Sequence, residues 1–145
     1  MTRAEAWLQH LSNLLVGGSG LVYGWMVYFA EPADEFALVN HPWQPFTQHL
    51  HVWTAPLLVF ACGMIWRRHA WARVRSGFAE RRKTGVALTF SLFPMVLSGY
   101  FLQTAVSDTW RSIWLWLHLT TSVLWVAAYG VHQLSRRAAT ADGAR

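Results

Sequence analysis

Two histidines, His118 and His132, sit inside the last long apolar run of this sequence, 113–134, which reads IWLWLHLTTSVLWVAAYGVHQL. A run of this length can cross a bilayer, which takes about 20 apolar residues. An ionisable side chain at membrane depth is costly and is read first as a functional group with a partner. The two imidazoles are 14 residues apart, about 21 Å along a helix and within roughly 40° of one face. One helix thus offers two nitrogen ligands at two depths, the spacing that two stacked b-type haems need.

A haem held this way needs an imidazole on each face of the iron, so the rest of the chain has to supply partners. The elements that would position them are apolar runs at about 11–30, 50–66, 86–102 and 113–134. Each is near the length of a spanning helix. The composition agrees: 54% of the 145 residues are hydrophobic and 13% charged, against about 25% charged in an ordinary soluble domain. Between the runs, 31–48 carries three prolines, 67–84 is crowded with arginine and 103–111 is short and polar. Pro56 and Pro94 fall inside the second and third runs, where neighbouring helices can cover the freed carbonyls. The expectation is an all-α membrane protein, one four-helix up-and-down bundle across 1–145.

Charge orients the bundle. Arg3, the basic residues of 67–83 (Arg67, Arg68, Arg73, Arg75, Arg81, Arg82, Lys83) and Arg136, Arg137 and Arg145 fall on one side. Arg111 falls on the other, with Glu31, Asp34, Glu35 and Asp108. The positive-inside rule then places both termini in the cytoplasm of a bacterium, with the protein in its inner membrane. Because topology accounts for the basic residues, nucleic acid is not expected as a partner. The single cysteine, Cys62, excludes an internal disulfide framework and a cysteine metal site.

With the second and fourth spans running the same way, histidines match by depth. At the outer level His118 faces His51 or His49 at the start of span two. At the inner level His132 faces His10 at the start of span one, or His69 just beyond span two. His51 lies deeper than His49, which points roughly 200° away from it around the helix. His69 sits among arginines, past the hydrocarbon, whereas His10 has little charge around it. His51 and His10 are therefore preferred, with His49 and His69 as the alternatives. Span one follows His10 with Gly17, Gly18, Gly20 and Gly24, which either pack helices closely or admit a flat ligand; Gly99 and Gly130 have the same ambiguity. His41 reads as a solvated loop residue. Trp7, Trp66, Trp71, Trp110, Trp114 and Trp116 read as an aromatic belt.

These features together resemble the di-haem b-type cytochrome subunits of respiratory oxidoreductases. That family includes the gamma subunit of membrane formate dehydrogenase and the b-type cytochrome of nickel–iron hydrogenases. The resemblance is carried by His10 before a glycine-bearing run, by Leu50-His51-Val52, by Arg67-Arg68-His69 and by Leu97-Ser98-Gly99-Tyr100. Its most specific part is Leu117-His118 followed by Gly130-Val131-His132. The resemblance implies the pairs His10–His132 and His51–His118, in agreement with the depth argument. It also implies electron transfer between a redox partner subunit and the quinone pool, with a quinone near His10, Asn13 and His132. The chain is shorter than typical members, and the residues beside His10 and His51 are not the family's usual ones, so one haem instead of two stays open. No nucleophile or general-base pair marks a self-contained enzyme. Two other classes compete: a haem-free membrane anchor whose histidines bond neighbouring helices, and a small transporter or proton channel using them as a relay. The second would want carboxylates inside the spans, and the runs contain none.

Overall fold

The computed structural model describes residues 1–76 and 82–142, with side chains through Ser135. Among these residues the regular structure is helical: α1 (Arg3–Tyr28), α2 (Gln44–Ile65), a π-helical stretch (Trp66–Trp71), α3 (Ala72–Arg75), α4 (Arg82–Thr104) and α5 (Asp108–Asp142). Each long helix starts before its apolar run, α1 by eight residues and α2 by six. A hydropathy reading finds only the hydrocarbon-facing part of a helix, and local signals extend it.

Those signals are identifiable. Thr2 accepts from the Glu5 backbone N–H at 3.2 Å while the Glu5 carboxylate accepts from the Thr2 N–H at 2.7 Å. This reciprocal cap satisfies two otherwise unpaired donors and starts α1 at Arg3. Pro45 in the first turn starts α2, where a missing N–H costs nothing. Asp108 in the first turn of α5 complements the helix dipole. The expectation that all of 67–84 is a loop is corrected, since helix continues to Arg75 and resumes at Arg82. Of the residues used for orientation, Arg81 and Arg145 and the side chains of Arg136 and Arg137 lie outside those described.

The chain divides into two compact units, Met1–Trp66 and Arg67–Arg145. In the first, α1 packs antiparallel on α2; in the second, α4 packs antiparallel on α5. The register of the first pair is fixed by Gln9 donating to the Cys62 thiol at 3.3 Å and, at the far end, by Asn40 donating to the Val27 carbonyl at 2.8 Å. In the second pair, Phe101 stacks on Trp114 with centroids 4.7 Å apart. Both helix seams are lined by small and hydroxyl residues. Ser12 and Ser98 are fully buried, and Ser19, Thr47, Thr89, Ser91 and Thr121 nearly so. Large apolar side chains such as Leu14, Phe29, Trp53, Phe90 and Trp116 are exposed. Polar-small inside and apolar outside is the packing expected when lipid is the solvent.

Three helical stretches are long and apolar enough to span a membrane: Gln44–Arg75, Arg82–Thr104 and Asp108–Ser135. Helix α1, at 26 residues, has the length, but Gln9, His10, Asn13 and its glycines dilute its apolar content. The protein is a multi-pass membrane protein.

Candidate haem-ligand histidines

The expected ligands divide between the units: His10 and His51 belong to the first, His118 and His132 to the second. Within its own unit, His51 turns Nδ1 onto α1. Nδ1 lies 3.0 Å from the Val16 carbonyl oxygen and 3.3 Å from Ser19 Oγ. A carbonyl only accepts, so Nδ1 carries the hydrogen, and the neutral ring then has its lone pair on Nε2. Ser19 spends its own proton on the Leu15 carbonyl at 2.6 Å, which leaves its oxygen lone pair facing the ring. Gly20 completes the cradle. A Cβ there would come within 2.8 Å of His51 Cε1, so the ring can lie this close to α1 only over a glycine.

The second unit repeats the arrangement. His118 Nδ1 lies 3.0 Å from the Met95 carbonyl and 3.5 Å from Ser98 Oγ, and Ser98 donates to the Pro94 carbonyl at 2.5 Å. A Cβ on Gly99 would reach 3.1 Å from His118 Cε1. The carrying helix matches as well. Thr54 donates to the Leu50 carbonyl at 2.8 Å, and Thr121 to the Leu117 carbonyl at 2.7 Å. The two units are thus variants of one hairpin. Ser12, Val16, Ser19 and Gly20 correspond to Ser91, Met95, Ser98 and Gly99, while Leu50, His51, Thr54, Ala61 and Gly63 correspond to Leu117, His118, Thr121, Ala128 and Gly130. The first-helix offset exceeds the second-helix offset by 12 residues because the connections differ by as many, 29–43 against 105–107.

His132 has a third setting of this kind, with Nδ1 2.9 Å from Thr84 Oγ1 on α4. His10, half-buried, lies in the third turn of α1 and not at a helix mouth. It meets the Trp7 ring edge-on at 6.3 Å, on a different face of α1 from Ser19. Of the alternatives, His49 is exposed and stacks on Trp53 with centroids 6.3 Å apart. His69 is half-buried within the π-helical stretch. The loop residue His41 accepts from the Trp43 N–H at 3.2 Å.

The sequence reading missed Ser19, Ser98 and Thr84, and left Gly20 and Gly99 undecided between helix packing and a ligand groove. What these two glycines admit is a histidine ring. The signal that could have found the hydroxyls is the doubled Leu-His-x-x-Thr and Ser-Gly pattern. Among the described residues no three His, Cys, Asp or Glu side chains converge, so metal ligation here would draw on histidines in ones and twos. What the fold and these cradles define is an all-helical, multi-pass membrane protein whose histidines are held inside its helix pairs. No family model matches the chain, and no curated protein or solved structure matches it.

Proposed function

We propose that the chain is a b-type cytochrome subunit of the bacterial inner membrane, with α1, α2, α4 and α5 all crossing it and both termini cytoplasmic. His51 and His118 ligate one b haem, and His10 and His132 a second. When bound, haem supplies one-electron chemistry, which this subunit uses between a redox partner subunit and the quinone pool.

The observation that carries the reading is the duplicated cradle. An axial ligand needs a ring of fixed orientation with Nε2 unprotonated, and the second-ring hydrogen bond is the usual means of securing both. At His51 and His118 a backbone carbonyl accepts from Nδ1 at 3.0 Å. The carbonyls and serines orient the rings, the glycines bring them close to the first helix of each pair, and the exposed apolar side chains keep the helices in lipid.

The same hydrogen bonds favour a second reading. Each also ties two helices together, which is all that a haem-free anchor subunit would ask of a membrane histidine. The dithionite-reduced minus oxidised spectrum of the purified chain, with haem quantified per protein, separates the two. Low-spin b-type bands at two haems per chain support the cytochrome. Colourless protein, after expression with adequate haem and any obligate partners, would sink it and leave the anchor. One haem, lost on His51→Ala, would keep His51–His118 and remove the inner site.

A further inference from the structure

We infer that Thr84 is the positioning residue for His132, and that it sets the hydrogen bonding of this ring apart from that of His51 and His118. The electrochemical half of the inference rests on the proposed haem ligation; the half concerning the ring itself does not.

On α4, Thr84 and Ser98 are 14 residues apart, and on α5, His118 and His132 are also 14 apart. Because the helices run antiparallel, Ser98 meets His118 and Thr84 meets His132, so the hairpin has two rungs about 21 Å apart. The rungs differ in chemistry. His118 has the Met95 carbonyl at 3.0 Å, and Ser98 Oγ stands further off at 3.5 Å. His132 has a hydroxyl at 2.9 Å. The neighbouring glycine is not what seats the His132 ring, since a Cβ on Gly85 would sit at an ordinary 3.9 Å from Cε1. Nor does the duplication supply this rung, because the first unit has Glu5 and Ile65 at the corresponding positions.

A hydroxyl can donate or accept, so it fixes a tautomer less rigidly than a carbonyl does. For Nε2 to ligate iron, Nδ1 must carry the hydrogen and Thr84 Oγ1 must accept it. Acceptance raises the basicity of the ligating nitrogen and stabilises the oxidised iron. Removing the acceptor therefore raises the potential of the haem that His132 ligates and leaves the other in place.

The test uses the full chain with Thr84→Val, which removes the hydroxyl at nearly constant volume, and Thr84→Ser, which keeps it. The ring is read by nitrogen-15 histidine spectra, with the His132 signal assigned by its loss in His132→Gln; the iron is read by redox titration. In Thr84→Val, His132 loses its preference for hydrogen on Nδ1 and one of the two midpoint potentials rises, while Thr84→Ser restores both. Wild-type tautomer and potentials in Thr84→Val would overturn the inference. If Thr84→Val does not accumulate, Thr84→Ala carries the same expectation. If the wild-type chain binds no haem, the functional proposal fails, and the His132 tautomer in the two variants still decides the role of Thr84.

Discussion

Replacing Gly20 by alanine tests the cradle with one methyl group. The new Cβ would stand 2.8 Å from His51 Cε1 and 3.1 Å from Nδ1. Ordinary contact begins at 3.4 Å, so the ring has to retreat by about 0.6 Å from α1, because close-packed atoms tolerate little overlap. The same retreat stretches the 3.0 Å bond to the Val16 carbonyl to about 3.6 Å, beyond a useful hydrogen bond. Loss of that bond costs about 1 kcal/mol, and a displacement above about 0.5 Å spoils a ligand site. Loss of an outer-shell partner typically costs about 10–100-fold in metal-site affinity. Helix propensity acts in the opposite direction, since alanine is favoured over glycine by about 1 kcal/mol within a helix. Gly20→Ala should therefore keep or raise thermal stability in detergent while haem per chain falls and the spectrum of the remaining haem persists. Gly24→Ala is the control, because nothing lies within 4 Å of its Cβ and it gains the same propensity. Equal haem content and equal spectra in the two variants would refute the reasoning.

The other glycines grade the effect. Gly99→Ala, with its Cβ 3.1 Å from His118 Cε1, should weaken haem retention less than Gly20→Ala, and Gly85→Ala should leave it unchanged; haem titration of the three variants side by side reads the order. His49→Ala should retain the full haem content and His51→Ala should lose one haem, measured as the pyridine haemochrome per protein; the reverse result would move the ligand by two residues. Gln9 is buried with its Oε1 lacking a hydrogen-bond partner, and such a group costs about 1–3 kcal/mol. Gln9→Met should thus be neutral or stabilising by thermal unfolding in detergent, and a large loss of stability would show that the amide holds something the helices need. Reporter fusions at either terminus should report the cytoplasm, and an external signal from one of them would overturn the four-span topology.

What the sequence made legible follows from which signals are local. The four apolar runs are local, and each became a helix, although the capping pair Thr2–Glu5 and the early turn at Pro45 moved the starts outward. The 14-residue spacing of His118 and His132 is also local, and the helix α5 carries it. His51 could be told from His49 because two residues along a helix rotate a side chain onto another face, and the structure turns His51 onto α1 and leaves His49 exposed. The hydroxyl and glycine partners were not legible in this way. Ser19 lies 32 residues from His51, and Ser98 lies 20 from His118; the unequal connections conceal that the two separations express one geometry.

That equivalence bears on how the two levels of histidines should be weighed. His51 and His118 stand at matching positions of a repeated hairpin, with the same carbonyl, hydroxyl and glycine around each. Whatever the pair does, both members are built for the same role, as the two faces of one iron would require. His10 and His132 have no such relation, since their counterparts in the other hairpin are Thr89 and Ile65. One is set against an aromatic edge and the other against a threonine hydroxyl. If one site is lost first on purification or on limiting haem supply, the loss should fall on the inner pair, with the His51–His118 haem retained. Loss of the outer haem first would mean that the duplicated cradles serve helix packing and not ligation.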